Sequence, residues 1–300
     1  MTKTTENCVP KPGKKAEACE KDPLITVIMG VYNGQATLAE AIESIIAQTY
    51  TNWEMVICDD GSTDRSYHIA KAYERQYPDR IILLENETNQ GLNKTLNRCL
   101  LAARGELIAR QDADDISLPE RFRKQVDHLL ADPNCAFVSC GEYISDGTKR
   151  IGIRIQSKIR PEAKDFILKN PFFHPCAMIR REALERVGGY TEDDRLLRVE
   201  DYNLWSKLYA AGMYGENMQE AYYEFLENDE TYQRRKFKYR FNGAYARALA
   251  IDMLGLPKIC KVLVLRSIIV GLIPRSISKY LHRKQLLSGS RRRKEWNDKS

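Results

Sequence analysis

Two acidic clusters, Asp59-Asp60-Gly61-Ser62 and Asp112-Ala113-Asp114-Asp115, each follow a short apolar run of β-forming residues. The runs at 25–29, 54–58 and 107–110 read as buried strands, and the last two lead into carboxylates. Strands that stay apolar without alternation belong to sheets covered on both faces. Open parallel sheets place ligands beyond the carboxyl ends of their strands. Neighbouring carboxylates repel, so such clusters persist in solvent or around a cation. A hard cation such as Mg2+ or Mn2+ takes oxygen ligands and commonly bridges to substrate phosphates. The pattern points to a metal-assisted enzyme acting on a phosphorylated, nucleotide-linked substrate.

The first half of the chain alternates strand and helix signals. Thr37-Leu38-Ala39-Glu40 has the spacing of a capping box, and Leu38, Ala41, Ile42, Ile45 and Ile46 follow at helical intervals. Ser62, Thr63 and Asp64 supply N-cap types for a helix ending near Tyr77-Pro78. A strand at 81–84, a helix over 92–103 and the strand at 107–110 come next. Ser117-Leu118-Pro119-Glu120 opens a helix through Leu130, with Asp115 available to cap the turn before it, and residues 136–140 resume the sheet. This alternation predicts an α/β fold with a mostly parallel sheet flanked by helices. The second half is less regular, with a loop at 171–175, a short strand at 176–179 and a helix over 200–211 closed by Gly212.

The net charge of +6 is unevenly distributed. Residues 255–300 hold twelve Lys/Arg against two acidic residues, a net of +10, which leaves −4 for the rest. An apolar stretch at 262–273 is interrupted by Arg266 and too short to span a bilayer. Apolar residues flanked by cations suit a helix lying on an anionic membrane, or one packed on the domain with a solvated basic end. No aromatic platform accompanies the basic tail, so no nucleic-acid partner is expected. The eight cysteines form no CxxC pair, and with four scattered histidines they exclude a zinc-ligand pattern; they read as reduced, in a cytosolic compartment. Residues 1–22 read as a disordered polar leader without a signal-peptide core.

Together these segments resemble glycosyltransferase family 2, inverting enzymes with the nucleotide-sugar-binding fold called GT-A. The matching text is ITVIMGVYNG at 25–34, AIESIIAQTYTNWEMVICDDGSTD at 41–64, ARQDADDISLPERFRKQV at 109–126, HPCAMIRREALERVGGY at 174–190 and VEDYNLW at 199–205. The resemblance implies a GT-A domain over 23–225 and a C-terminal helical, basic and apolar extension over 226–300. Gly30 stands where the family usually carries Pro, which removes a side chain beside the nucleotide.

By the resemblance, Gly30, Val31, Tyr32 and Asn33 line the nucleotide pocket, with Tyr32 suited to stack on the base. Asp60 matches the acid that reads uracil; the alternative is that Asp59 and Asp60 cap the following helix. Asp112-Ala113-Asp114 looks like the metal-binding DXD motif, with Asp114 on the Mn2+ or Mg2+ and Asp112 on metal, sugar or ribose. Glu200-Asp201 resembles the acceptor-side ED motif, Asp201 being the base and Glu200 its orienting neighbour. Otherwise both simply occupy a helix's first turn, where acids favour the macrodipole. His174 faces the acceptor side or is a satisfied structural histidine. The implied reaction moves a hexose or N-acetylhexosamine from a UDP-sugar to a glycan or lipid-linked acceptor. The implied place is the cytoplasmic face of the cell membrane, held peripherally by residues 256–294. A catalytically silent nucleotide-sugar-binding scaffold on the membrane is the rival expectation.

Overall fold

A computed structural model describes residues 22–227 and 237–264. The expected leader therefore lies outside the described residues except for Asp22, and so does most of the membrane-binding segment.

The chain begins with strand β1 (Ile25–Val31), helix α1 (Leu38–Ile46), β2 (Trp53–Asp59), α2 (Ser66–Gln76), β3 (Ile81–Glu85), α3 (Leu92–Ala102) and β4 (Leu107–Arg110). β1 pairs in parallel with β2 on one side and β4 on the other, and β3 extends the parallel array beyond β2. The chain order thus reverses beside β1. That switch point opens a crevice at the carboxyl ends of β1, β2 and β4.

The strands are apolar throughout because both faces are covered. Val27 and Met29 of β1, with Met55 and Ile57 of β2, pack beneath Leu38, Ala41, Ile42 and Ile45 of α1. Ile28, Val56 and Cys58 point the other way, into a second core with Leu96 and Cys99 of α3. One residue of register shift would exchange these two sets, so two-sided burial fixes the pairing.

Beyond β4 the sheet changes character. β5 (Ile116–Ser117) and α4 (Arg121–Ala131) lead to β6 (Cys135–Ser145), β7 (Arg150–Arg154), β8 (Met178–Arg180), α5 (Arg181–Arg186), α6 (Glu200–Ala210), β9 (Tyr214–Leu226) and α7 (Tyr239–Met253). The sheet runs β3-β2-β1-β4-β8-β6-β9-β5, with β7 paired to β6. β8 is antiparallel to both β4 and β6, whereas β6 and β9 are parallel. Phe137 of β6 stacks on Trp205 of α6 at 4.5 Å between ring centroids, and Phe172 meets Phe137 edge-on at 4.6 Å. α7 belongs to the same core, since its Ala246 and Ala250 are buried with Tyr202 and Trp205.

Three local expectations are corrected. No side-chain cap forms at Thr37, because its hydroxyl donates across the cleft to the carbonyl of Ala113 at 2.9 Å. Ser117 does not open a helix: it lies in β5, and α4 begins at Arg121. Asp115 caps no turn either, since its carboxylate accepts the Leu226 N–H of β9 at 2.8 Å. In each case a long-range partner won over the local motif. Elsewhere the period-based elements stand, including the helix from Glu200 and the left-handed Gly212 after it.

Because Phe137 fills the space between β6 and α6, Phe137→Ala should lower unfolding free energy by about 3–5 kcal/mol, measured by urea titration. A loss below about 1 kcal/mol would mean that the aromatic cluster does not hold α6 on the sheet.

Candidate active site

A cleft of about 680 Å³ opens at the switch point, within the range of small-ligand sites. Its walls come from residues 30–37, Asp60, the N-terminal end of α3, residues 110–114 and residues 197–200, with Leu226 and Tyr239 at the rim.

One wall is knitted from two loops. The Asn33 N–H donates to Ser62 Oγ at 2.9 Å, and Asn33 Oδ1 accepts the Thr63 N–H at 2.8 Å. Gly34 N–H donates to Ser66 Oγ, and Gln35 N–H to Asp64 Oδ2. Asn33 takes φ 52°, a left-handed conformation that Asn tolerates better than most residues. Tyr32 is left 51% exposed on this wall. Asp60 lines the cleft but is only 4% exposed. Its two oxygens accept from Asn86 Nδ2 at 2.6 Å, the Gln90 N–H at 2.8 Å and the Gly91 N–H at 2.9 Å. Asp59 lies behind the wall, where Oδ1 accepts the Ser62 N–H at 2.8 Å. Directly after them, Gly61 has φ 71°, and a Cβ there would meet the Thr88 backbone at 2.8 Å. Gly30 also has a packing reason: a Cβ on it would come within 3.0 Å of Thr95 and 3.2 Å of Leu92.

The opposite edge of β4 carries the acidic loop. Gln111 is fully buried and acts as its mandrel, donating from Nε2 to the carbonyls of Asp112 at 3.1 Å and Asp115 at 2.8 Å. Arg121, also fully buried, locks the other end of that side chain. Its Nη1 donates to Gln111 Oε1 and Ser117 Oγ, and its Nη2 to the carbonyls of Arg110 and Ala177. The Asp112 N–H donates to the buried Tyr223 hydroxyl at 3.2 Å. Arg110, with its side chain 3% exposed, forms an ion pair with Asp112.

Carboxylate oxygens of Asp112, Asp114 and Asp115 lie within 4.8 Å of one another. Burial, with the charges of Asp112 and Asp114 adding to it, holds the Asp115 carboxyl well above its ordinary pKa. Its Oδ2 is buried without a hydrogen-bond partner. An all-oxygen donor set with one orphaned oxygen fits a hard divalent cation.

Glu200 and Asp201 form the first turn of α6, and Glu200 lines the cleft. Asp201 Oδ2 accepts from Asn170 Nδ2 at 2.5 Å, and Oδ1 accepts the Tyr202 N–H at 2.7 Å. Burial, reinforced by the Asp201 charge, pushes Glu200 up to about 7. Asp201 is raised to about 6, chiefly by burial. An acid and a base near neutrality are thus available from one turn of helix.

The cleft wall brings together Gly30, Val31, Tyr32, Asn33, Asp60, Asp112, Ala113, Asp114 and Glu200. Asp59 and Asp201 stand just behind it. His174 takes the structural alternative: it is buried, its Nε2 lies 2.8 Å from the Tyr190 hydroxyl, and burial lowers its pKa so that it stays neutral. Sequence reasoning missed Arg110, Gln111 and Arg121, whose partners are mostly carbonyls and side chains that the fold brings together. Their presence inside ARQDADDISLPERF was the one available signal.

The model of the family described as "Glycosyl transferase family 2" matches residues 26–188. EpsE of Bacillus subtilis (strain 168), which carries a glycosyltransferase name, is 38% identical over 266 residues, covering 89% of this chain and 95% of that protein. The amylovoran biosynthesis glycosyltransferase AmsE of Erwinia amylovora is 27% identical over 272 residues, 87% of this chain and 98% of that one. Among solved structures, residues 1–349 of S. aureus TarS in complex with UDP-GlcNAc superpose with a TM-score of 0.62 at 19% identity, over 82% of this chain and 71% of that one. The mannosyltransferase PcManGT from Pyrobaculum calidifontis, in complex with GDP-Man and Mn2+, gives 0.58 at 21% identity, over 95% and 86%. The fold is GT-A.

Glu200 offers a test by pH. Its folded pKa of about 7 exceeds the ordinary glutamate value of about 4.3. Between those values the folded state binds more protons than the unfolded one, so stability falls as pH rises. Glu200→Gln should therefore be more stable than wild type at pH 8, by about 1–3 kcal/mol, and equal to it near pH 4. Melting curves at both pH values check this, and an unchanged difference across pH would contradict the raised pKa.

Proposed function

Because this chain belongs to glycosyl transferase family 2, we propose that it moves a hexose or N-acetylhexosamine from a UDP-sugar to a hydroxyl of a glycan or lipid-linked acceptor. The observation that carries this reading is the juxtaposition of an acidic metal-type loop and an acceptor-side carboxylate pair around one cleft. Asp114 and Asp112 would hold Mn2+ or Mg2+, with Asp115 as a third oxygen donor. When bound, such a cation neutralises the donor diphosphate and stabilises the departing nucleotide.

The chain's own residues divide the remaining work. Tyr32 offers an exposed ring for stacking on the base. Asp60 already accepts three hydrogen bonds, which leaves capacity for one more from the uracil imide. UDP-GlcNAc and GDP-Man are bound by the fold's neighbours, so the uridine reading rests on Asp60 rather than on the fold. Asp201, oriented by Asn170, takes the proton of the acceptor hydroxyl as it attacks the anomeric carbon in line. One displacement inverts that centre, giving a β-linkage from an α-linked donor.

The amylovoran enzyme among the relatives supports a setting in polysaccharide or glycolipid assembly. No helix of the described residues is long and apolar enough to cross a membrane. Ile259, Val262 and Leu263 are exposed beside Lys258 and Lys261, at the start of the basic segment. Apolar and cationic side chains together suit peripheral attachment to an anionic membrane at the cytoplasmic face.

Thermal shift with nucleotide sugars, with and without Mn2+, tests the donor site. Stabilisation by UDP-sugars that needs the metal and disappears in Asp114→Ala is expected, since a ligand of the native state raises apparent stability. No shift with any nucleotide at millimolar concentration would sink the reading. Asp201→Asn should keep that shift while turnover falls by about 10³-fold or more. In wild type, turnover should rise with pH through about 6 as Asp201 loses its proton, and the residual rate of Asp201→Asn should lack this limb.

A further inference from the structure

Among the described residues, two guanidinium groups with different surroundings line the cleft. Arg110, at the end of β4, is paired with Asp112 and donates to the carbonyl of Gln111 at 2.5 Å. Arg198 also lines the cleft, on the short link between the 3-10 turn Asp194–Leu196 and α6. Among the described residues its side chain has no hydrogen bond or ion pair, and its charge acts on Glu200.

The backbone at Arg198 is unusual. Its φ of 68° lies in the left-handed region, which is disfavoured for a residue with a Cβ. Such conformations persist where the surroundings enforce them, and they cluster at ligand sites. Here the enforcement is visible on both sides. The Leu197 N–H donates to the Asp194 carbonyl at 3.3 Å, and the Val199 N–H to the Leu196 carbonyl at 3.1 Å. Asn242 of α7 donates from Nδ2 to the Leu197 carbonyl at 2.9 Å. Leu197 itself packs against the α3 end of the cleft, near Gly91. This residue therefore carries a cation into the cleft that Asp60, Asp112 and Asp114 also line.

A guanidinium exposed on a cleft wall, with no acceptor for its side chain among the described residues, suits an oxyanion. Its planar fork matches the geometry of phosphate oxygens. We propose that Arg198 binds the sugar-bearing phosphate of the donor from the acceptor wall, opposite the Asp112–Asp114 loop. This rests on the nucleotide-sugar reading above. It also places a leaving-group contact two residues from Glu200 and three from Asp201, so one rigid segment addresses both ends of the displacement. The competing structural role is to moderate the charge of Glu200 alone.

Calorimetric titration of the full chain with UDP and with UMP, in Mn2+, separates these roles. UMP lacks the second phosphate, so the ratio of the two affinities reads the contact directly. Arg198→Gln should weaken UDP at least tenfold and UMP less than twofold, with Arg198→Lys between wild type and Gln. Arg198→Gly should lose UDP affinity as the Gln variant does while melting higher, because glycine relieves the left-handed backbone. A folded Arg198→Gln variant with wild-type affinity for UDP overturns the assignment while leaving the donor site standing. So does equal loss for UDP and UMP, or an altered pH profile without any change in the UDP/UMP ratio. Wild-type protein that binds neither UDP nor GDP removes the donor reading and this proposal together.

Discussion

Arg121 is the group on which the site's geometry depends most. A buried guanidinium is costly unless its donors are satisfied, and here they meet Gln125, Gln111, Ser117 and the carbonyls of Arg110 and Ala177. That set joins α4, the end of β4, β5 and the segment entering β8. Gln111, gripped from one side, grips the acidic loop from the other. The carboxylates are consequently positioned by neutral hydrogen-bonding groups, by Arg121 behind them and by the Arg110 ion pair to Asp112, and their oxygens stay clustered despite mutual repulsion.

The charge distribution around the cleft follows from that arrangement. Asp60, Asp112, Asp114 and Glu200 crowd a small volume, with Arg110 and Arg198 as the cations on its walls among the described residues. The molecule tolerates this partly by moving protons: Glu200, Asp201 and Asp115 are all raised, with burial the leading cause. It also tolerates it by satisfying acids that do no chemistry. Asp64 accepts from Gln35 and Ser66, and three donors converge on Asp60. The DDGSTD segment is thus as much a clamp between two loops as a binding motif.

This division explains what the sequence could and could not reveal. β1, β2 and β4 were legible because two-sided burial leaves unbroken apolar runs, and α1 because its apolar residues recur at helical spacing. β9 was not, since YGENMQEAYYEFL mixes buried and polar positions and makes sense only between β6 and β5. Local capping patterns at Thr37 and Ser117 misled for a related reason: their hydroxyls serve partners 76 and 6 residues away. The acidic motifs were readable as site residues because clustered charge has few structural uses. Gln111 and Arg121 were unreadable because a long polar side chain on paper defaults to solvent, and only the fold supplies carbonyls to meet it.

The two halves of the sheet contribute differently to the proposed reaction. The parallel half supplies loops at a switch point, where backbone N–H groups and carboxylates converge without special effort. The antiparallel half supplies rigidity, since Trp205 anchors α6 to Phe137 of β6 and fixes where its first turn projects. Arg198, Glu200 and Asp201 all lie on that turn or just before it. Any movement of α6 would shift a cation, an orienting acid and a base together relative to the Asp112–Asp114 loop. In-line displacement needs those groups at fixed distances from one another and from the anomeric carbon. A link of three residues, with Arg198 in the left-handed region, meets that need better than a relaxed one, because few other backbone conformations are open to it.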